Sequence, residues 1–460
     1  MITGIENYDA IIIGFGKAGK TLGGALAAAG KQVALVEESE RMYGGTCINV
    51  ACIPTKALVE RSRRSALQGG TFEEKAERYA QAVARKEELT GMLRGKNYHK
   101  LADAPGATVI DGHASFVDSH HVAVEKDGTS TVYEADLVFI NTGSRPFMPN
   151  TPGLELGAHV YVSETLLDLA ELPHRMVIIG GGYIGVEFAS MYADFGADVS
   201  IIQGGDRFLP REDAQVAQTV LESLEARGVH VLRSTKVTAV SDGEAQAVVS
   251  ISDADGERTL EADAVLVATG RRPNVEGLGL EAAGVALTDR GAVEVDEHLL
   301  TSQPNIYAMG DVVGGLQFTY ISLDDFRIVR SALLGDGART TANRGAVPYS
   351  VFVRPPFSRV GLTEDEARDK GFNVKVGTLP AAAIPKAHVL EEPTGMLKAV
   401  IDADTDLILG AHLFCAESHE LINTVKLAMD AKIPYTTLRV AIYTHPTMSE
   451  GFNDLFAAVK

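Results

Sequence analysis

One pattern of strand, glycine turn and helix occurs twice in this chain, and it constrains the fold more than any other feature. Ala10-Ile11-Ile12-Ile13 runs into Gly14-Phe15-Gly16-Lys17-Ala18-Gly19, and a second apolar strand, Gln32 to Val36, ends at Glu37. Met176 to Ile179 then runs into Gly180-Gly181-Gly182-Tyr183-Ile184-Gly185-Val186-Glu187, and the strand Asp198 to Ile202 ends at Gln203. Gln203 lies as far beyond Gly180 as Glu37 lies beyond Gly14. In G-x-G-x-x-G, backbone amides at a helix N-terminus can meet a pyrophosphate, and an acid closing the next strand accepts ribose hydroxyls. A single glycine turn is a weak signal. Two of them, each with its strand, helix and downstream polar residue in register, predict two α/β nucleotide-binding units and hence two dinucleotides.

The remaining segments fit around these units. Residues 57 to about 103 read as a long, charged helical excursion with a solvated face. Short alternating strands follow from Ala107 to Tyr133, and the strand Leu137 to Ile140 ends in Asn141-Thr142-Gly143-Ser144-Arg145-Pro146. Ala264 to Ala268, running into Thr269-Gly270-Arg271-Arg272-Pro273, echoes that segment. Asn305 to Asp311 reads as a strand ending in a carboxylate placed to meet sugar hydroxyls. From about Gly345 the pattern shifts to alternating strands, Pro348 to Phe352 and Leu397 to Ile401, with a helix from Ser418 to Asp430.

Composition narrows the function. A chain of 460 residues has ample material for several cores, and 45% hydrophobic with 22% charged residues is ordinary for a globular protein. A formal charge of −19 argues against nucleic acid and anionic membranes as partners. No basic region, apolar helix or cleavage site precedes the strand at Tyr8, so no signal peptide is expected, and no apolar run reaches membrane-spanning length. Three cysteines fit a reducing cytoplasm.

Two of those cysteines stand in Gly44-Gly45-Thr46-Cys47-Ile48-Asn49-Val50-Ala51-Cys52-Ile53-Pro54-Thr55-Lys56. The spacing is too wide for a thioredoxin motif, and no second Cys/His cluster completes a structural zinc site. So short a loop removes little entropy from the unfolded chain, which argues against a structural staple. An exchanging dithiol/disulfide remains, with Pro54 and Thr55 at the start of a helix whose N-terminus favours thiolate. Cys415, in the strand Ala411 to Cys415, reads as a small buried apolar residue. No metal site is expected.

These motifs, in this order, resemble the flavoprotein disulfide reductases, the family of glutathione reductase, dihydrolipoamide dehydrogenase and mercuric reductase. The resemblance covers essentially the whole chain and includes T-G-S-R-P, A-T-G-R-R-P-N, M-G-D and His445-Pro446-Thr447-Met448-Ser449-Glu450. It implies two Rossmann-like domains, for FAD and NAD(P), and a C-terminal α+β dimerisation domain. The expected regions are 1–148 for FAD and the redox disulfide, 149–267 for NAD(P), 268–342 as a central segment completing the FAD site, and 343–460 for dimerisation. FAD is expected on Gly14, Gly16, Gly19, Glu37, Gly45, Thr46, Lys56, Ala114, Thr142, Gly143, Asp311 and Gln317. NADH or NADPH is expected on Gly180, Gly182, Tyr183, Ile184, Gly185, Glu187, Gln203 and Gly270.

The resemblance also implies roles. Cys52 would abut the flavin and Cys47 would be the outward, interchange thiol. Lys56, one helical turn past Cys52, would present its ammonium to the flavin, with Glu187 as its partner near the nicotinamide. His445 would manage the thiol proton and Glu450 would orient it, histidine suiting the task by its pKa near neutrality. In the family this histidine reaches the disulfide of the other subunit, so the active enzyme is expected to be a homodimer.

Within the family, the tail Asp454 to Lys460 lacks the cysteine pair typical of mercuric reductases, and no basic set for glutathione is found. The segment Gly314 to Arg327 departs from the Leu-Ala-His-type turn of lipoamide enzymes. With Met42 to Asn49 and Ala383 to Ala387, it resembles the bacterial reactive-chlorine-resistance subgroup, described as reducing hypothiocyanous acid, and also Cu(II), with reduced nicotinamide. The expected chemistry is attack by the Cys47 thiolate on the oxidant's sulfur, departure of thiocyanate, and resolution by Cys52. His445 would hold the thiolate or protonate the departing oxygen, and access matters more than recognition for so small an oxidant. Gln203 replaces the acid that repels a 2′-phosphate, and Arg207 is a weak phosphate ligand, so NADH or dual use is favoured. A dihydrolipoamide dehydrogenase or other general disulfide reductase shares every redox motif. A thiol-based redox or metal sensor is the competing class, but it hardly needs a complete second nucleotide fold.

Overall fold

The computed structural model describes residues 6–460. The leaderless start expected of the sequence falls partly in residues 1–5, outside the described residues. The chain divides into two compact units. The first takes the chain up to Ala57, Ala82–Phe147 and Gly270–Arg344; the second takes Leu58–Gln81, Met148–Thr269 and Gly345–Lys460.

The first unit is built on β1 (Glu6–Ile13), α1 (Lys17–Ala28) and β2 (Val33–Glu37). The cysteine segment follows as a four-residue turn α2 (Thr46–Asn49), then α3 (Cys52–Gln68) and α4 (Phe72–Ala102). Next come β3 (Ala107–Asp111), β4 (His113–Phe116), β5 (His121–Lys126) and β6 (Thr129–Ile140). The sheet order is β3-β2-β1-β6-β5-β4. Parallel pairing joins β3, β2, β1 and β6, and the strand Ile306–Ala308 adds in parallel to β6. The length of β6 explains how it serves both neighbours: residues 129–134 pair antiparallel with β5, and residues 138–140 pair with Ile306–Ala308. A parallel sheet is covered on both faces, which is why Ala10 to Ile13 is an unbroken apolar run and is buried throughout. One face packs against α1 through Leu22 and Leu26, and the other against Val122, Val124 and Leu278.

The second unit repeats the plan. Its five parallel strands run in the order His230–Leu232, Asp198–Ile202, Arg175–Ile179, Ala264–Val267, Val160–Val162, with the helix Tyr183–Phe195 after the glycine turn. A three-stranded antiparallel sheet, Lys236–Asp242, Ala247–Asp253 and Gly256–Ala262, packs Val249 and Ile251 into the same core. The C-terminal part is an antiparallel sheet of Tyr349–Val351, Phe357–Gly361, Ile408–Phe414, Met396–Asp402 and Val374–Pro380. The helices Ser418–Asp430 and Gly451–Ala457 cover it through Leu421, Val425, Phe452 and Phe456. Two Rossmann-like sheets and a C-terminal α+β region are thus the architecture. No helix among the described residues is long and apolar enough to cross a membrane.

Three local expectations need correction. The helical excursion is two helices broken at residues 69–71, where Gly69 and Gly70 interrupt the helix. It is not simply a solvated face, because Tyr79 is fully buried in the second unit, where its hydroxyl meets that of Tyr192 at 2.9 Å. Asp311 does not end the strand: pairing stops at Ala308, and Asp311 lies in a 3₁₀ turn, Gly310–Val313.

Candidate active site

The cysteine segment is clamped onto the first glycine turn. A Cβ at Gly45 would stand 2.8 Å from the Cα of Gly16, so glycine is required where the two backbones cross. Asn49 donates its amide to the carbonyls of Tyr43 and Gly45, both at 3.0 Å, and accepts from Arg94 Nε of α4 at 2.9 Å. The Tyr43 ring packs between Phe15 and Tyr98, and its hydroxyl donates to Asp111 at 2.5 Å. Cys47 therefore sits in its own short turn, and α3 begins at Cys52 rather than at Pro54.

Both residues stand as half-buried thiols that hydrogen-bond each other. That bond does most to draw the Cys47 pKa down to about 6; the Thr319 hydroxyl and the charges of Lys20 and Lys56 add to it, against the opposing effect of burial. A thiol so placed is largely ionised at neutral pH, the state that attacks. Cys415 differs: it is fully buried and burial pushes its pKa up, so it is inert.

Around the first turn, Glu37 at the end of β2 accepts from the Phe15 amide at 2.9 Å and the Ser39 amide at 3.3 Å, and its burial raises its pKa. Gly16 offers no side-chain cap to α1, but two amides further in find distant acceptors. The Gly19 amide donates to Asn141 Oδ1 at 2.9 Å and the Ala18 amide to Ser322 Oγ at 3.1 Å. Asn141 donates in turn to the Met309 carbonyl at 2.6 Å. Asp311 accepts from the Ser144 hydroxyl at 2.9 Å, and burial raises its pKa. Thr142 donates to the Asn274 carbonyl at 2.6 Å, and Gly143 accepts from the Asn274 amide at 2.9 Å. Ala114 is buried on β4, while Thr46, Lys56 and Gln317 are half-buried. An uncapped helix N-terminus for a pyrophosphate, a buried acid closing β2 and a second, half-buried acid on the 3₁₀ turn form a donor and acceptor set that fits a dinucleotide.

In the second unit, Gly182 likewise leaves its helix uncapped by a side chain. Tyr183, at the first helical position, donates to Glu212, which also accepts from Tyr349 at 2.7 Å. Ile184 is half-buried and Gly185 packs under the turn, its Cβ position 2.1 Å from the Gly180 carbonyl oxygen. Gln203 is buried, and its amide donates to the Arg207 carbonyl. Glu187 is buried and accepts from the Phe352 amide at 2.8 Å. Gly270 lies in the first unit, where its carbonyl accepts from the Phe147 amide at 2.9 Å. His445 Nδ1 pairs with Glu450 Oε2 at 2.9 Å, and Glu450 also accepts from the Thr447 amide at 3.3 Å. The imidazole is 72% exposed. Sequence reasoning gave no role to Lys20, Asn49, Arg94, Asn141, Thr319 and Ser322, although all but Arg94 lie within or directly beside a segment it singled out.

Comparison with known proteins agrees with this architecture. The pyridine nucleotide-disulphide oxidoreductase model matches residues 8–325, and the dimerisation domain of the same family matches residues 347–456. The probable pyridine nucleotide-disulfide oxidoreductase RclA of Escherichia coli is 49% identical over 99% of this chain and 100% of its own length. A dihydrolipoyl dehydrogenase of Mycobacterium bovis is 34% identical over 98% of each chain. The solved Cu(II) complex of the HOCl-induced flavoprotein disulfide reductase RclA from Escherichia coli superimposes with a TM-score of 0.93 over 99% of this chain and all of that one. The chain belongs to the pyridine nucleotide-disulphide oxidoreductase family.

Proposed function

We propose that this chain is an FAD-dependent oxidoreductase that uses reduced nicotinamide to keep Cys47 and Cys52 as a dithiol and spends that dithiol on a small oxidant, hypothiocyanous acid foremost. The observation that carries the reading is the Cys47 thiol, its pKa drawn to about 6 beside a resolving Cys52. The near-full-length likeness to an HOCl-induced flavoprotein disulfide reductase supports oxidant defence over general metabolism. Gly14, Gly16, Gly19, Gly45, Thr46, Glu37, Ala114, Thr142, Gly143, Asp311 and Gln317 would hold FAD, with Lys56 near its ring. Bound FAD would supply the two-electron transfer that restores the dithiol.

The chain's own steps balance. The Cys47 thiolate attacks the sulfur of hypothiocyanous acid, the S–O bond breaks, and the oxygen leaves as water with a proton from His445, which Glu450 orients. Cys52 then gives its proton to the now-neutral His445 and attacks Cys47 Sγ, a disulfide forms, and thiocyanate leaves with the electron pair. Two thiols are oxidised and one oxidant is reduced. His445, 72% exposed on a single chain, would act on the partner copy's disulfide. Val440 and Ile442, 72% and 100% exposed apolar residues just before it, suit a homodimer interface. The compartment would be the cytoplasm.

Gly180, Gly182, Tyr183, Ile184, Gly185, Glu187 and Gln203 of the second unit would receive the coenzyme. The Gln203 amide is turned to its own loop, which favours NADH or dual use over strict NADPH dependence. Cu(II) is a second acceptor, favoured by a close relative solved as its Cu(II) complex. Kinship with dihydrolipoyl dehydrogenases keeps a general disulfide reductase as the alternative.

The test follows NADH and NADPH consumption by FAD-loaded protein offered hypothiocyanous acid, lipoamide, oxidised glutathione and Cu(II), with Cys47→Ser as control. Fast turnover on hypothiocyanous acid, lost in the control, is expected. Preference for lipoamide would move the function to dithiol dehydrogenation, and oxidation without sustained turnover would make the chain a sensor.

A further inference from the structure

Lys20 lies on α1, in the turn after the glycine fingerprint, a position the dinucleotide site gives no task. It is half-buried, and its ammonium donates to the Gly44 carbonyl at 2.9 Å. Gly44 opens the turn that carries Cys47, so the lysine anchors the thiol's own segment from the helix beneath it. Burial makes this charge expensive to keep, and Lys17 on the same helix and Lys100 on α4 repel it. These costs lower its pKa to about 8, and the Coulombic attraction that counters them comes from Cys47. The relation is mutual, since Lys20 is among the groups that lower the Cys47 pKa. In a chain with a formal charge of −19, a half-buried lysine beside two other cations is conspicuous. A thiolate counter-charge accounts for it.

We propose that Lys20 is a positioning residue for the redox reaction: its ammonium fixes the Gly44 turn and supplies half-buried positive charge that holds Cys47 as the attacking thiolate. The inference rests on the reading of Cys47 as the interchange thiol. It assigns to α1 a second task besides the pyrophosphate. Groups bearing on the thiol are Cys52, Thr319, Lys20 and Lys56, and those bearing on the lysine are Lys17, Lys100 and Cys47. Lys56 reaches the thiol from α3 instead, whereas Lys20 holds the Gly44 carbonyl from α1.

The experiment uses FAD-loaded protein carrying Cys52→Ser, which leaves Cys47 as the accessible thiol and retains a hydroxyl beside it. Its alkylation by iodoacetamide is followed against pH in Lys20, Lys20→Met, Lys20→Gln and Lys20→Arg backgrounds. Losing the charge is expected to move the midpoint up by about 0.5 to 1 pH unit in both Lys20→Met and Lys20→Gln. That corresponds to alkylation slowed about threefold to tenfold below the midpoint. Lys20→Arg is expected to restore the midpoint. An unchanged midpoint in the Met and Gln variants, with flavin still bound, would overturn the proposal, as would failure of arginine to rescue. Should Lys20→Met fail to load FAD, Lys20→Gln and Lys20→Arg still separate charge from fold. No oxidant enters this assay, so a wrong physiological substrate leaves its outcome intact. Failure of iodoacetamide to label Cys47 in the unaltered Lys20 background would instead count against the redox reading itself.

Discussion

In the first glycine turn, Gly14 holds φ +99°, and a Cβ there would stand 2.5 Å from the Asn141 carbonyl oxygen. In the second, Gly180 holds φ +114°, and a Cβ would stand 2.5 Å from the Ala268 carbonyl oxygen. The backbone solution is the same: a left-handed glycine lets the chain leave one strand under the end of its parallel neighbour. The polar surroundings differ. Amides of the first turn reach Asn141 and Ser322, which lie 122 and 304 residues from their donors, and Glu37 folds back onto Phe15. At the second turn Gln203 faces Arg207, four residues on in its own loop. The first turn is stitched into its whole unit, as a permanently held cofactor would need. The second is held locally, as suits a coenzyme that must come and go.

The strongest attack on this contrast is to block each turn separately. Gly14→Val is expected to abolish flavin binding, because the branched side chain would collide with backbone at a φ that it disfavours. The purified variant should be colourless and inactive. Gly180→Val is expected to keep its yellow colour yet raise KM for the nicotinamide by about 10² or more. Equal loss of flavin in both variants would break the contrast. A smaller effect is expected from Asn141→Ala, which unpairs the Gly19 amide and the Met309 carbonyl and should cost about 1–3 kcal/mol of stability in thermal or denaturant unfolding. Its counterpart in the second unit, Glu187→Gln, keeps an acceptor for the Phe352 amide and should change stability by less than about 1 kcal/mol. A single carboxylate sharpens the coenzyme question: Gln203→Glu should raise the NADH-to-NADPH ratio of kcat/KM by about tenfold, through repulsion of a 2′-phosphate.

Much of the fold was legible because both glycine turns announce themselves locally. Period, strand length and turn chemistry are short-range properties, and the helix Ser418–Asp430 falls on the bounds expected of it. The turn α2 was not legible, since four residues carry no periodicity. Nor was the 3₁₀ turn that carries Asp311, since a strand's end and a one-turn helix look alike in sequence. The cysteine pair was legible as a redox pair, but the groups that tune it were not. Lys20 and Thr319 come to Cys47 from positions far apart in the chain, and Arg94 reaches Asn49 from a helix that reads as solvated. Such contacts exist only once the chain has folded, and a single sequence carries no trace of them.

The central claim is that reducing equivalents from the nicotinamide arrive at Cys47 and Cys52. The most direct measurement starts from oxidised, FAD-loaded protein held without oxygen, adds one equivalent of NADH, alkylates the native protein, and locates the label by mass spectrometry. Cys47 and Cys52 should both become reactive in step with NADH oxidation, while buried Cys415 stays unlabelled. NADH consumed with neither cysteine newly exposed to alkylation would contradict the account.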